Sequence, residues 1–255
     1  MEPIVCSGLL HRPVNAIACW LFRWASYIRR MCGRFTRNYT WAQIHAMYSI
    51  TPLGSNLQPR FNICPTTDVD VVIRGGDERA LMPMRWGLIP NWWKKSLKEM
   101  RSATFNARAE TIAEKPMFRD SFKRRRCLMP VSGYYEWQDT PEGKQPYYFT
   151  RRDGQVMTIA AIHDAWTDPH QAEKLWSCAM LITEPNKFVA EVHDRMPVIL
   201  EAKDFEQWER GDVKDAAALM KPAAEDLLQK WPVSKRVNSS RTSDEDATLV
   251  EKLGI

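Results

Sequence analysis

The sequence predicts an α+β fold, one domain with a β-dominated core and peripheral helices. Three observations carry that expectation. Short strand-like runs separated by tight turns recur from residue 68 to residue 183. Helix-like stretches are inserted between and after them, and the 255 residues hold neither an internal repeat nor a Gly/Ser/Pro-rich linker. A chain of this length can bury a sizeable core as one unit.

Residues 1–30 are the misfit. An apolar, aromatic run over 15–28 is interrupted by Arg23 and followed by Arg29-Arg30. A secretory signal has the opposite order, with its charge before the apolar run and a small-residue cleavage site after it. Three origins stay open: a basic amphipathic segment, a cleavable pro-segment, or upstream sequence read from a wrongly placed start. The last is preferred, the pro-segment next.

The remaining elements follow in order. Thr40-x-x-Gln43 is a capping box that opens a helix through about Met47-Tyr48. Residues 51–59 read as loop. Residues 68–74 and 80–86 are strand-like around the turn Gly75-Gly76-Asp77. Residues 91–100 are aromatic, basic and loop-like, and 107–114 read as a helix ended by Pro116. The run Lys123-Arg124-Arg125-Arg126 is either a solvated helix end or a phosphate contact, and it leads into a strand over 127–131. Strands follow over 134–138, 147–151, 156–162 and 175–183, with turns at Thr140-Pro141-Glu142-Gly143 and Arg152-Asp153-Gly154. A short helix is expected over 184–192, a strand over 198–200, a helix over 202–210, and one or two helices over 212–229 broken at Pro222. From about Asn238 the chain turns polar. Residues 31–237 are therefore expected to form the domain and 238–255 a disordered tail.

Composition sets bounds on function. A formal net charge of +5 suits a polyanionic partner without specifying one. Eleven tryptophans among many Arg and Lys residues serve as core and as surfaces on which single-stranded nucleic acid stacks. The six cysteines (Cys6, Cys19, Cys32, Cys64, Cys127, Cys178) form no C-x-x-C pair, and five histidines give no zinc spacing. No metal or other cofactor is expected, and the scattered thiols fit a reduced, cytoplasmic setting. No apolar run reaches the roughly 18 residues of a membrane span, so no membrane partner is expected.

The chemistry concentrates in Met31-Cys32-Gly33-Arg34-Phe35, which reads like the start of a protein placed inside this one. If everything up to Met31 is removed, Cys32 carries a free α-amine and a thiol on adjacent carbons. That 1,2-aminothiol condenses with aldehydes: the amine forms an imine and the thiolate closes a thiazolidine ring. The amine titrates at about 7.7–8.0 and the thiol at about 8.5, so both nucleophiles exist near neutral pH. Taken alone, the five residues fit an ordinary buried cysteine better.

Further motifs reverse that balance. Arg60-Phe61-Asn62-Ile63-Cys64-Pro65, Trp86-Gly87-Leu88-Ile89-Pro90-Asn91-Trp92-Trp93, Asn106-Ala107-Arg108-Ala109-Glu110-Thr111, Gly133-Tyr134-Tyr135-Glu136-Trp137 and His193-Asp194-Arg195-Met196-Pro197 follow in that order. Together with the cysteine they resemble the SRAP family, the SOS response-associated peptidases, from Met31 to about Ser234. The resemblance implies a mixed, barrel-like sheet and the processing of abasic sites in single-stranded DNA. It implies a covalent thiazolidine link through Cys32, with associated lyase and autopeptidase activity. DNA bearing abasic sites would be the partner, the protein a monomer, and its place the cytoplasm, associated with the nucleoid if the source is bacterial.

The implied roles fall on residues whose chemistry suits them. Glu136, between aromatics on a strand, would assist the amine, since a carboxylate there is costly without a partner. Its bland alternative is a surface glutamate. His193 would move protons on the sugar oxygen. Asn106 would orient the Cys32 backbone or a sugar hydroxyl, with a capping role for the 107–114 helix as the competing explanation. Arg34, Arg108 and Arg195 match positions that face DNA, where a guanidinium fork suits phosphate. Pro65, Trp92 and Trp93 match segments that wedge against or stack on bases, although Trp92-Trp93 also reads as core. Cys64 departs from the family pattern, which has a small residue there. Two other functions compete: a self-processing cysteine peptidase or amidohydrolase, and a non-catalytic single-strand binder that would not need Cys32.

Overall fold

The computed structural model describes residues 32–50, 57–170 and 172–254. The extension over 1–30, Met31 and most of the expected 51–59 loop lie outside the described residues. The first strand, β1 (Phe35–Arg37), leads into helix α1 (Trp41–Tyr48). The capping box forms as its spacing predicts: Thr40 Oγ1 accepts from the Gln43 amide at 3.3 Å, and Gln43 Oε1 accepts from the Thr40 amide at 2.8 Å. Ser49 ends the helix in the left-handed conformation, with φ of 56°. Strand β2 (Arg60–Ile63) returns antiparallel to β1. The hairpin of β3 (Asp68–Gly75) and β4 (Glu78–Trp86) turns at Gly76, whose φ of +65° favours glycine.

The segment 107–114 departs from the helical expectation. Asn106–Arg108 form strand β5, parallel to a later strand with Ala107 opposite Leu181, and the chain then turns irregularly to Lys115. Ala107 is fully buried, so sheet pairing overrides the local helical preference. The helix comes later, as α2 (Arg119–Arg124). Of the basic run after it, Arg126 donates to the carbonyls of Phe122, Lys123, Trp208 and Gly211, and Arg125 pairs with Asp120 and Asp164. These two are fastened to protein, while Lys123 and Arg124 stay exposed.

Four long strands follow: β6 (Arg126–Val131) and β7 (Gly133–Thr140), then β8 (Gly143–Arg151) and β9 (Met157–Thr167). Next comes β10 (Lys174–Thr183). Strands β10, β4, β3, β6 and β9 pair in that order, and β9 pairs back to β10, which closes a five-stranded ring. The β10–β4 pair is parallel and the others antiparallel, so the barrel is mixed. Residues 157–162 are buried on both strand faces, and all but Thr158 are apolar. A second sheet runs β7 and β8 beside β1 and β2. The short helix α3 (Lys187–Ala190) is capped by Asn186, whose Oδ1 accepts from the Val189 amide at 2.9 Å. Two-residue strands β11 (Met196–Pro197) and β12 (Ile199–Leu200) add to β10 and β9. Helices α4 (Phe205–Arg210) and α5 (Val213–Ala218) then pack Phe205, Trp208 and Ala216 into the core built on the barrel strands.

The end of the chain differs from expectation twice. Part of the expected helix over 212–229 is instead the start of strand β13 (Leu228–Pro232), which pairs with β8 from Leu228 opposite Arg151 to Pro232 opposite Tyr147. It is an edge strand, where a proline is tolerated. The expected disordered tail is folded. Leu249 and Val237 are fully buried against Phe61, Tyr135 and Tyr148, so a few apolar residues suffice to dock an otherwise polar segment. Among the described residues no helix is long and apolar enough to cross a membrane, and no three side chains cluster as a metal site.

Candidate active site around Cys32

Strand pairing delivers the residues of the site. Strand β1 lies against β7, with Phe35 opposite Tyr134, and the Tyr135 amide donates to the Arg34 carbonyl at 3.0 Å. The three residues before β1 therefore run alongside Glu136. On the other side of β7, Gly133 lets β8 come close, since a Cβ there would sit 2.3 Å from Tyr148 Oη and 2.5 Å from the Phe149 carbonyl. Phe35 packs edge-on against Trp86, which packs edge-on against Phe105, and Trp86 Nε1 donates to the Phe105 carbonyl at 2.9 Å. That buried aromatic run ties β1 to the residue before Asn106. His193 follows α3, its amide held by the Val189 carbonyl at 3.0 Å.

Cys32, Asn106, Glu136 and His193 come together. Asn106 Nδ2 donates to the Cys32 carbonyl at 2.8 Å. With Asn106 on a strand, the helix-capping explanation falls away. Glu136 is 1% exposed, so the surface reading of this residue falls as well. Its carboxylate lies close enough to the Cys32 thiol for its charge to raise the thiol pKa, and His193 Nε2 lies 3.6 Å from Glu136 Oε2, within ion-pair range but too far for a hydrogen bond. The Arg195 amide donates to His193 Nδ1 at 3.1 Å. A neutral ring therefore carries its proton on Nε2, facing the carboxylate.

Burial dominates the charges. It raises the Glu136 carboxyl from 4.5 to about 7, with the His193 ring pulling partly the other way. Burial and then the Glu136 charge push the Cys32 thiol well above its ordinary range. Six buried side-chain atoms lack a hydrogen-bond partner among the described residues, and three of them, Glu136 Oε1, Asn106 Oδ1 and Tyr134 Oη, belong to this site. Unpartnered buried polar atoms are uncommon, and half of those here fall on residues of this one site.

The residues matched to DNA contacts are distributed unequally. Arg34 is partly buried and donates to Asn62 Oδ1 at 2.7 Å and to the Asn238 carbonyl at 3.0 Å. Arg195 is paired with Glu110, and Arg108 is exposed at the end of β5. Trp92 is 44% exposed. Trp93, half-buried, accepts through its carbonyl from Trp166 Nε1 at 2.7 Å, which anchors this loop at β9 rather than at Cys32. Pro65 is half-buried after β2, and Cys64, also half-buried, donates to the Asn62 carbonyl.

The model of the SOS response associated peptidase (SRAP) family matches residues 31–240. The chain belongs to the SRAP family. It is 32% identical over 220 residues to the abasic site processing protein YoqW of Bacillus subtilis (strain 168), covering 84% of this chain and 96% of that one. With the abasic site processing protein HMCES of Xenopus tropicalis it shares 33% over 217 residues, 73% of this chain and 64% of that protein. A crystal structure of a protein from Bacteroides thetaiotaomicron superposes with a TM-score of 0.71 at 26% identity, covering 87% of this chain and all of that one.

Within this SRAP domain the structure adds three residues that the sequence reading passed over. Tyr134 is two residues before Glu136 on one face of β7, and burial first, then the nearby Cys32 and Glu136, push its hydroxyl well above its ordinary range. The period-2 spacing within Gly-Tyr-Tyr-Glu-Trp was the available signal. Asn62 and Glu110, each inside a motif quoted above, hold Arg34 and Arg195.

Proposed function

We propose that this protein processes abasic sites in single-stranded DNA by forming a thiazolidine cross-link through Cys32, once Cys32 has become the N-terminal residue. The observation that carries this reading is the pair of unpartnered buried acceptors, Glu136 Oε1 and Asn106 Oδ1, on two residues that already contact Cys32. An α-ammonium at Cys32 supplies three N–H donors, the kind of group those acceptors lack. The names of the relatives, and the exposed Trp92 and Arg108, favour DNA over a peptide substrate.

The chemistry follows from these residues. The abasic deoxyribose opens to an aldehyde at C1′, with His193 passing a proton to or from the sugar oxygen. The deprotonated Cys32 amine attacks C1′, and the carbinolamine loses water to give the imine. The thiol proton passes to Glu136, the sulfur adds to C1′, and the nitrogen takes up a proton, which closes the ring. A carboxyl poised at about 7 can accept and return a proton near neutral pH. The imine also permits β-elimination, so strand cleavage 3′ of the lesion is a side path. Self-removal of the segment before Cys32, assisted by Glu136 and His193, would be the peptidase activity.

Protein that begins at Cys32, incubated with an abasic oligonucleotide, should give a heat-stable shifted band on a denaturing gel, absent for Cys32→Ala. An undiminished band in both Cys32→Ala and Cys32→Ala/Cys64→Ala refutes the reading. Self-cleavage without any DNA adduct would favour the peptidase instead.

A further inference from the structure

The chain leaves β13 and returns across β2, the edge strand of the second sheet. An edge presents unpaired amides and carbonyls, and the returning segment takes up one of these amides. The Phe61 amide donates to the Asp244 carbonyl, and Arg60 Nε pairs with the Asp244 carboxylate at 2.6 Å. Leu249, fully buried beside Phe61 and Tyr135, anchors the segment, and Trp231 Nε1 donates to the Val250 carbonyl at 2.8 Å. The family match ends at residue 240, so most of these anchors lie past it.

The same segment reaches the first arginine after Cys32. Asn62 uses one amide group in two directions: its Oδ1 accepts from Arg34 Nη1 at 2.7 Å, and its Nδ2 donates to the Ser239 carbonyl at 3.0 Å and towards Thr242 at 3.5 Å. The Asn238 carbonyl accepts from Arg34 Nη2 at 3.0 Å, while Asn238 Oδ1 accepts from Trp137 Nε1 at 2.6 Å, which fixes that residue in turn. A guanidinium has five N–H donors in a rigid fork. Two of them are held here by the protein, and the others remain to meet a ligand.

We propose that residues 238–244 form a strap that fixes the Arg34 fork in advance for a DNA phosphate, with Asn62 as the positioning residue that joins strap to arginine. This rests on the DNA reading above. Fixing one rotamer-rich side chain before binding is worth a factor of about 2 to 12 in affinity. The strap makes the C-terminal segment part of the nucleic-acid face although none of its own side chains need touch DNA.

A double-mutant cycle tests it, using the full chain and an intact single-stranded oligonucleotide at fixed salt. Asn62→Ala should weaken binding by about 2- to 12-fold when Arg34 is present, and by less than about twofold in the Arg34→Ala background. Equal losses in both backgrounds would mean that Asn62 only supports the fold, and would overturn the proposal. Asn238→Ala, which frees the carbonyl from its Trp137 anchor, should couple to Arg34 in the same direction and carries the cycle if Asn62→Ala does not fold. A wild-type protein with no affinity for the oligonucleotide would overturn the DNA reading and the strap together. Binding with additive losses overturns the strap alone.

Discussion

Glu209 and Glu136 are buried to the same degree, each side chain about 1% exposed, and the fold treats them in opposite ways. Glu209 on α4 takes Arg79 Nε on both oxygens at 3.1 and 3.0 Å, Arg79 Nη2 at 2.7 Å and Arg74 Nη1 at 3.4 Å. Its charge is fully partnered and fixes α4 to the β3–β4 hairpin. Glu136 has the Cys32 thiol, a histidine ring at 3.6 Å and one oxygen with no partner. Equal burial with unequal satisfaction separates a structural carboxylate from one kept available for chemistry.

The largest expected effect breaks this pair apart by rate. Glu136→Gln should slow adduct formation on abasic single-stranded DNA by about 10²–10⁴-fold in single-turnover experiments, the usual span of a lost acid–base group. Glu209→Gln should leave that rate nearly unchanged. Comparable losses in the two variants would erase the distinction.

Stability should move the other way. Removing the charge of Glu209 leaves the buried Arg79 without its carboxylate, while Arg74 keeps Glu206 at 3.1 Å, and should cost about 3–5 kcal/mol. The folded-state carboxyl of Glu136, raised from 4.5 to about 7, holds its proton more tightly than in the unfolded chain. Its contribution is thus fully present below pH 4.5 and is lost as pH rises through about 7. The loss amounts to about 3 kcal/mol by pH 8. Urea unfolding of the full chain should show this decline, and Glu136→Gln should flatten it. A profile as steep in Glu136→Gln as in the wild type would place the titrating group elsewhere.

A sharper version replaces the missing partner. When the chain begins at Cys32, the free ammonium should favour the Glu136 carboxylate, so the loss between pH 5 and pH 8 should shrink relative to the full chain. An unchanged loss would put the amine out of reach of Glu136. The smallest effect concerns the periphery: Arg108→Ala or Arg195→Ala should each make the salt dependence of single-strand binding shallower by about 0.7. Slopes unaltered in both variants would move the DNA to another face.

Much of this fold was legible because its signals are local. The α1 capping box and the glycine turn of the β3–β4 hairpin each lie within a few residues and form as read. Strand β5 was hidden because its partner, β10, lies far along the chain, while Ala107 and the Ala109 and Glu110 that follow it speak for a helix. Strand β13 and the C-terminal strap depend likewise on distant surfaces, β8 and the β2 edge, with only Val237 and Leu249 to signal burial. The motifs named Cys32, Asn106, Glu136 and His193 as candidates, but no spacing could place the Asn106 amide on the Cys32 carbonyl. Nor could the sequence reveal that Arg126, in its charge run, is spent on four carbonyls of the protein.

In the chain as written the Cys32 nitrogen is a peptide amide, whose delocalised lone pair can form neither imine nor thiazolidine. Residues 1–255 carrying Met31→Leu, which blocks initiation at Met31, should be expressed beside a protein that starts at Met31. Both are then incubated with abasic oligonucleotide and read by intact mass. The second protein should lose its methionine and gain the oligonucleotide mass less one water. The first should stay unmodified unless it trims itself to Cys32, which would identify residues 1–31 as a pro-segment. A first protein that keeps those residues and still forms the adduct at full yield would contradict the account.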